Sequence, residues 1–287
     1  MDKFGENFRL FRKERGFTLK EMSKEIISFS YLSKFEKGKS DITLNNFVRL
    51  LEKLNMTSDE FLLFNNVDIA KYTKLFQKIS LAYSANDKKK LLYYLKEEEV
   101  LFEKSSIIYH KCNAIMISVI IQDIDKSFSV SNHDSNFLKD YLIKCSSWTD
   151  YEVNLLGNIL VLFSDELLII LVNEIKSRLI EEKIVRRNRR NLIALLQNSC
   201  IIFLRRKMIK EANDVSIFLE GFLEPHHFFE KTRKLFIDGI ILITTGERSA
   251  GIEKSTQAIE LIKVLNSESS DDYETELQFF LSFKKPL

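Results

Sequence analysis

Two pairs of asparagines in the second half of the chain have the spacing to grip a peptide backbone. Asn154 and Asn158 stand at i and i+4, and Asn191 and Asn198 at i and i+7, so each pair shares one face of a helix. An asparagine amide is donor and acceptor at once, which matches the alternating N–H and C=O groups of an extended chain. Arg186, Arg187, Arg189 and Arg190 lead into Asn191, and arginines at a helix N-terminus suit a terminal carboxylate or an acidic side chain. Tyr151, Phe163 and Phe236 are the candidate apolar contacts of the same site. The run KIVRRNRR at 183–190 also fits a second phosphate-binding patch or an ordinary solvated helix start.

Other chemistries find less support. Cys112, Cys145 and Cys200 lie far apart, and the four histidines, His110, His133, His226 and His227, form no HExxH pair. No metal site is therefore expected, the thiols read as structural, and no cofactor is implied. Nothing resembles a Ser/His/Asp order, a glycine-rich phosphate loop or a paired carboxylate site, so an enzyme is not expected. The N-terminal MDKFGENFRLFRKERG lacks the apolar core of a signal peptide. The apolar stretch 155–172 is broken by Asn158, Ser164, Asp165 and Glu166, which argues against a membrane span and for a cytoplasmic protein.

Charge is uneven along the chain. Residues 1–40 carry ten Lys or Arg against six Asp or Glu, while residues 66–287 carry 31 of each. A local basic excess of this kind is what a polyanion would meet first.

The elements that must position these groups are helices. Apolar residues recur at helical spacing, and 8 Gly with 2 Pro in 287 residues leave little punctuation for strands and hairpins, so the fold class is all-α. Phe4, Phe8 and Phe11 make one stripe, and Gly16 ends that helix. Thr18 with Glu21 reads as a capping box, Ser28 and Thr43 as N-caps, and Gly38 as the next stop. A fifth helix runs from Ser58 to Phe64, and NNVD at 65–68 is the boundary, giving domains at 1–65 and 67–287. Beyond it, polar joints are expected at 84–89, 129–135, 146–150, Ser164-Asp165, 223–227, Gly246-Glu247 and 266–272. Paired helices with short turns over this length predict an α-solenoid. Phe228, Phe229 and Phe236 read as core, and His226 and His227 as turn and helix-start residues.

Residues Phe4–Leu54, and above all SFSYLSKFEKGKSDI at 28–42, resemble the helix-turn-helix domain shared by phage repressors and many bacterial regulators. In that arrangement a second helix, packed across the first, offers its N-terminal residues to the major groove. The resemblance places Phe29, Ser30 and Lys34 at base edges, with Tyr31 and Ser33 beside the backbone or groove wall. Lys34 can donate to guanine, and Phe29 can meet a thymine methyl. Arg9, Arg15, Lys37 and Lys39 are phosphate-clamp candidates, whereas Arg12 is implied to pair internally with Glu36. The usual turn glycine is replaced by Ile26-Ile27, which makes the turn one residue shorter.

The SYLSKFEKGKSDI segment, the chain length and the Trp148-containing helical array together resemble the Rgg family of Gram-positive regulators. That resemblance implies a tetratricopeptide-like array that binds a short signalling peptide of quorum sensing; together with the paired asparagines and the arginines before Asn191, it places a largely apolar peptide of the cell's own making on a concave face within 105–245. It also implies a transcription regulator on double-stranded DNA. A homodimer is expected because one such domain makes few base contacts. The alternative is a protein-interaction scaffold or inhibitor whose array holds another protein.

Overall fold

The computed structural model describes residues 3–65, 71–145, 148–180, 189–265 and 267–283. The described residues form helices and turns with no strand, and the chain divides into two compact units, Met1–Gln77 and Lys78–Leu287.

In the first unit, α1 (Phe4–Glu14), α2 (Leu19–Ser23), α3 (Phe29–Glu36), α4 (Leu44–Lys53) and α5 (Ser58–Phe64) enclose one core. Phe8, Met22, Leu32, Phe35, Leu50, Leu51, Leu54 and Phe61 are buried in it, each such side chain contributing roughly 1.5–3 kcal/mol by leaving water. The phenylalanine stripe of α1 meets Phe61 of α5 with ring centroids 6.1–6.5 Å apart. Local chemistry sets the helix ends. Thr18 and Glu21 form the reciprocal capping box, Ser28 Oγ accepts from Tyr31 N–H at 3.2 Å, and Thr43 caps α4. Gly16 and Gly38 sit at φ +76° and +67°. In both, the following residue's N–H reaches back five residues, Phe17 to Arg12 O and Lys39 to Lys34 O, which satisfies carbonyls a helix end would otherwise orphan.

The turn between α2 and α3 lacks glycine, and Glu25 takes the left-handed conformation there at φ +66°. Cations on α4 brace it: Arg49 donates to Glu25 O at 2.8 Å, and Lys53 to Glu21 O at 2.7 Å and Lys24 O at 3.2 Å. Inside the unit, Arg12 and Glu36 make a buried bidentate pair at 2.6 and 2.7 Å, and Arg12 donates a third bond to Phe17 O.

After α6 (Lys71–Ser84), the chain continues as α7 (Lys88–Ser105), α8 (Ile108–Ile124), α9 (Asn132–Lys144), α10 (Asp150–Ile159), α11 (Asp165–Ile180), α12 (Arg189–Arg205), α13 (Ile209–Glu220), α14 (Phe228–Thr245), α15 (Arg248–Leu265) and α16 (Ser267–Leu281). Alternate helices form an inner row, with α8 packed on α10, α10 on α12, α12 on α14 and α14 on α16, while the intervening helices back them. Each hairpin buries its apolar face on its neighbours, the arrangement of an α-solenoid. Two joints fall where none was expected, at Ser106 and Lys207, both left-handed. The expected joint at 266–272 shrinks, because α16 already begins at Ser267.

Some side chains sit otherwise than expected. Phe236 is core, but Phe228 and Phe229 are exposed, because at the start of α14 it is His227 and Glu230 that turn inward. Burial raises the Cys112 and Cys200 thiols to about 12, so they stay protonated, while Cys145 is part-exposed. Among the described residues no helix is long and apolar enough to cross a membrane, and no His/Cys/Asp/Glu cluster could hold a metal ion.

Candidate functional sites

On the first unit, α3 offers a short amphipathic face. Leu32, Phe35 and Glu36 turn inward, whereas Phe29, Ser30 and Lys34 are exposed. Ser30 and Lys34 stand at i and i+4, so they share a face, and Phe29 extends it toward the helix N-terminus with 62% of its surface open. An exposed phenylalanine at this position is unfavourable in water unless something covers it. Tyr31 is part-buried, and its hydroxyl donates to Asp41 O at 2.7 Å, bracing the loop after α3; Ser33 is also part-buried. Lys37 and Lys39 are exposed just beyond the C-terminal end of α3, and Arg9 is exposed on α1. Arg15 stacks over the Phe11 ring at 5.4 Å and helps lower the Glu60 carboxyl, after the dominant bonds from Thr57, so it stands on the α5 side of α1. Arg49 and Lys53, which the sequence did not single out, serve the α2–α3 turn.

On the second unit, the inner row carries a ladder of polar pairs. Asn191 Nδ2 lies 3.3 Å from Asp150 Oδ1, and seven residues along both helices Asn198 Nδ2 lies 3.5 Å from Gly157 O. The matching offsets make α10 and α12 parallel and in register. Asn198 Oδ1 accepts from Arg233 on α14, Arg190 pairs with Glu230, and Gln197 donates to Glu230 O at 2.6 Å. Both asparagine bonds to α10 are long for hydrogen bonds. Asn154 and Asn158 each donate to the carbonyl one turn back, Asp150 O at 2.6 Å and Asn154 O at 2.7 Å. Their side-chain oxygens remain on the part-exposed face of α10.

The arginine run is divided. Arg186 and Arg187 lie outside the described residues. Arg189 stacks on Phe222 at 5.3 Å and stands 3.8 Å from Glu224. Arg190 is answered by Glu230, whose carboxyl burial would raise but the Arg190 guanidinium holds below the ordinary value. Tyr151 is buried at the start of α10, its hydroxyl 3.0 Å from Asn113 Oδ1 and 3.1 Å from Tyr109 O. It joins a network in which Glu98 accepts from Asn113 and meets His110 Nδ1 at 2.8 Å. Phe163 is buried and Phe236 packs edge-on to Tyr273, centroids 5.0 Å apart. That pair lies under a cavity of about 310 Å³ between α12, α14 and α16, lined also by Ile201, Phe229 and Arg233. Neither Arg233 nor Tyr273 was marked by sequence, because each follows unremarkable helical residues and gains meaning only from helices brought together in space.

Comparison with known proteins agrees with this two-part layout. Residues 95–276 match the model of the C-terminal domain of the HTH-type transcriptional regulator Rgg, and residues 8–61 match a helix-turn-helix model. Among solved structures, the chain is similar to the SHP pheromone receptor Rgg2 of Streptococcus dysgalactiae, with 24% identity and a TM-score of 0.79 over 98% of this chain and 99% of that one. A protein of Listeria monocytogenes EGD-e aligns at 25% identity and a TM-score of 0.81 over 97% of each chain. PrgX in its complex with cCF10 aligns at 15% and 0.72, over 98% of this chain and 93% of that one. Likeness this distant speaks to the fold.

Proposed function

Because the chain belongs to the Rgg family of helix-turn-helix transcriptional regulators, we propose that a short, largely apolar peptide held on the inner row of the array controls how α3 reads duplex DNA. The working form is a cytoplasmic homodimer, with DNA binding assigned to residues 1–65 and peptide binding and dimerisation to 67–287. The observation that carries the reading is the polar ladder of Asn191 and Asn198 between α10, α12 and α14, which offers paired amides and, through Arg233, adjoins a partly apolar cavity. Rgg2 is a pheromone receptor and PrgX was crystallised with cCF10; both share this fold. A peptide changes DNA affinity only by binding two states of the array unequally.

Replacing Asn191 and Asn198 by alanine should weaken peptide binding by about 1–3 kcal/mol for each backbone group left unpaired, with DNA binding in the absence of peptide unchanged. Calorimetric titration of a peptide pool fractionated from the native cytoplasm measures it. Equal affinity in wild type and the double variant would remove these residues from the site.

On the DNA side, Phe29, Ser30 and Lys34 are assigned to base edges, Tyr31 and Ser33 to the groove wall, and Arg9, Arg15, Lys37 and Lys39 to phosphates. Lys34→Ala should change base preference at one half-site position by roughly 1–3 kcal/mol, while Lys39→Ala should weaken all sequences alike and flatten the salt dependence. Selection of bound sequences from a random duplex pool separates the two. Indistinguishable sequence logos for wild type and Lys34→Ala would cancel the assignment of Lys34.

A further inference from the structure

The arginines around the inner row differ in one respect. Arg190 is paired with Glu230, Arg205 with Glu276, Arg206 with Asp165, and Arg189 stands near Glu224. Arg233 instead donates to the neutral Asn198 Oδ1, and among the described residues no carboxylate lies within ion-pair distance of it. Glu276, which lines the same cavity, is engaged by Arg205 through both oxygens. Asp272, at the cavity wall, is exposed and makes no ion pair with Arg233. Arg233 thus presents a planar, permanently charged donor set to the cavity, with most of its N–H groups uncommitted.

The space beside it is small, with an apolar part formed by Ile201, Phe229, Phe236 and Tyr273 and a polar rim of Arg233, Asp272 and Glu276. At about 310 Å³, floored by Phe236 and Tyr273 and walled by Ile201 and Phe229, it falls at the low end of ligand-pocket volumes. One bulky side chain fits it; a whole peptide does not. An occupant must therefore bring an apolar side chain and an anion to adjacent positions. An acidic side chain within a peptide would satisfy Arg233 but leave the cavity to a different residue. A C-terminal residue carries both groups on a single Cα.

The geometry points to a C-terminal anchor: Arg233 binds the α-carboxylate of the peptide in bidentate fashion, and the cavity receives its last side chain, an aromatic or branched aliphatic one. This rests on the peptide reading above and adds to it the end of the ligand that is recognised and where. It also relocates carboxylate capture from the arginines ahead of Asn191 to α14.

Two synthetic random heptapeptide libraries, one with free C-terminal acids and one with C-terminal amides, are offered to the full-length protein, and the retained peptides are sequenced by mass spectrometry. Wild type should retain the acid library roughly tenfold better than the amide one, as expected for a charge-assisted bond, with Phe, Tyr, Leu and Ile enriched at the last position. Arg233→Gln should retain both libraries equally. Tyr273→Ala should keep the acid preference and lose the last-residue preference, and Ile201→Phe, which fills the cavity without removing a wall, should shift that preference to smaller residues. A wild type that retains peptides yet treats acid and amide alike, or enriches apolar residues only at inner positions, overturns the anchor. Retention of neither library overturns the peptide reading itself.

Discussion

Arg12→Ala is expected to bring the helix-turn-helix unit close to unfolding, at a cost of about 3–5 kcal/mol, against the order of 5 kcal/mol that a domain of this size holds in total. The reason is the environment of its partner. Arg12 and Glu36 are 6% and 3% exposed at their side chains, and removal of the guanidinium leaves a carboxylate desolvated between α1 and α3 without a counter-charge. It also strips Phe17 O of the bond that ties the α1–α2 turn. The double variant Arg12→Met/Glu36→Leu should recover most of the loss, because replacing both members of a buried pair by apolar groups of similar size is close to neutral. Thermal unfolding of the full chain, with hydrogen exchange reporting residues 3–65, measures both. If Arg12→Ala melts like wild type yet loses DNA affinity, Arg12 is a DNA contact and the pair is not what holds α1 on α3.

That pair was legible in the sequence only through resemblance, since 24 residues separate its members. What could be read directly was local. Thr18 with Glu21, Ser28, Thr43, Gly16 and Gly38 act within one turn of themselves, and a capping oxygen or a left-handed glycine leaves its signature at a fixed offset. Turns closed without glycine leave none. Glu25, Ser106 and Lys207 adopt positive φ, so the α2–α3 turn looked short and the joints before α8 and α13 went unseen. Pairing across the array was equally hidden. The arginines ahead of Asn191 looked free for a ligand because Glu230, which answers Arg190, lies 40 residues away. Arg233 looked ordinary for the same reason in reverse, since only the folded array shows that its neighbours' acids are already taken.

Gly251→Ala should destabilise the helical array by about 3 kcal/mol, in the upper part of the range for overpacked cores. Here α14 and α15 cross at their closest. A Cβ on Gly251 would stand 2.5 Å from Gly239 O and 2.7 Å from Ile243 N, and one on Gly239 would stand 2.2 Å from Ser255 Oγ and 2.8 Å from Gly251 O. Most of these obstacles are main-chain atoms of a neighbouring helix, so no rotamer change relieves the overlap, and the two helices must separate. Separation would loosen the buried contacts of Ile240, Ile243 and Ala258 and disturb α14, which carries Arg233 and Phe236. Alanine's better helix propensity returns only about 1 kcal/mol. Gly221→Ala is the matched control: its Cβ would meet nothing nearer than Phe218 O at 3.8 Å, and its φ of −71° suits any residue, so a gain of roughly 0.4–1 kcal/mol is expected from the unfolded state alone. Calorimetric melting of the two variants against wild type measures the difference, and a Gly251→Ala protein melting at or above the wild-type temperature would mean that α14 and α15 pack less closely than these distances require.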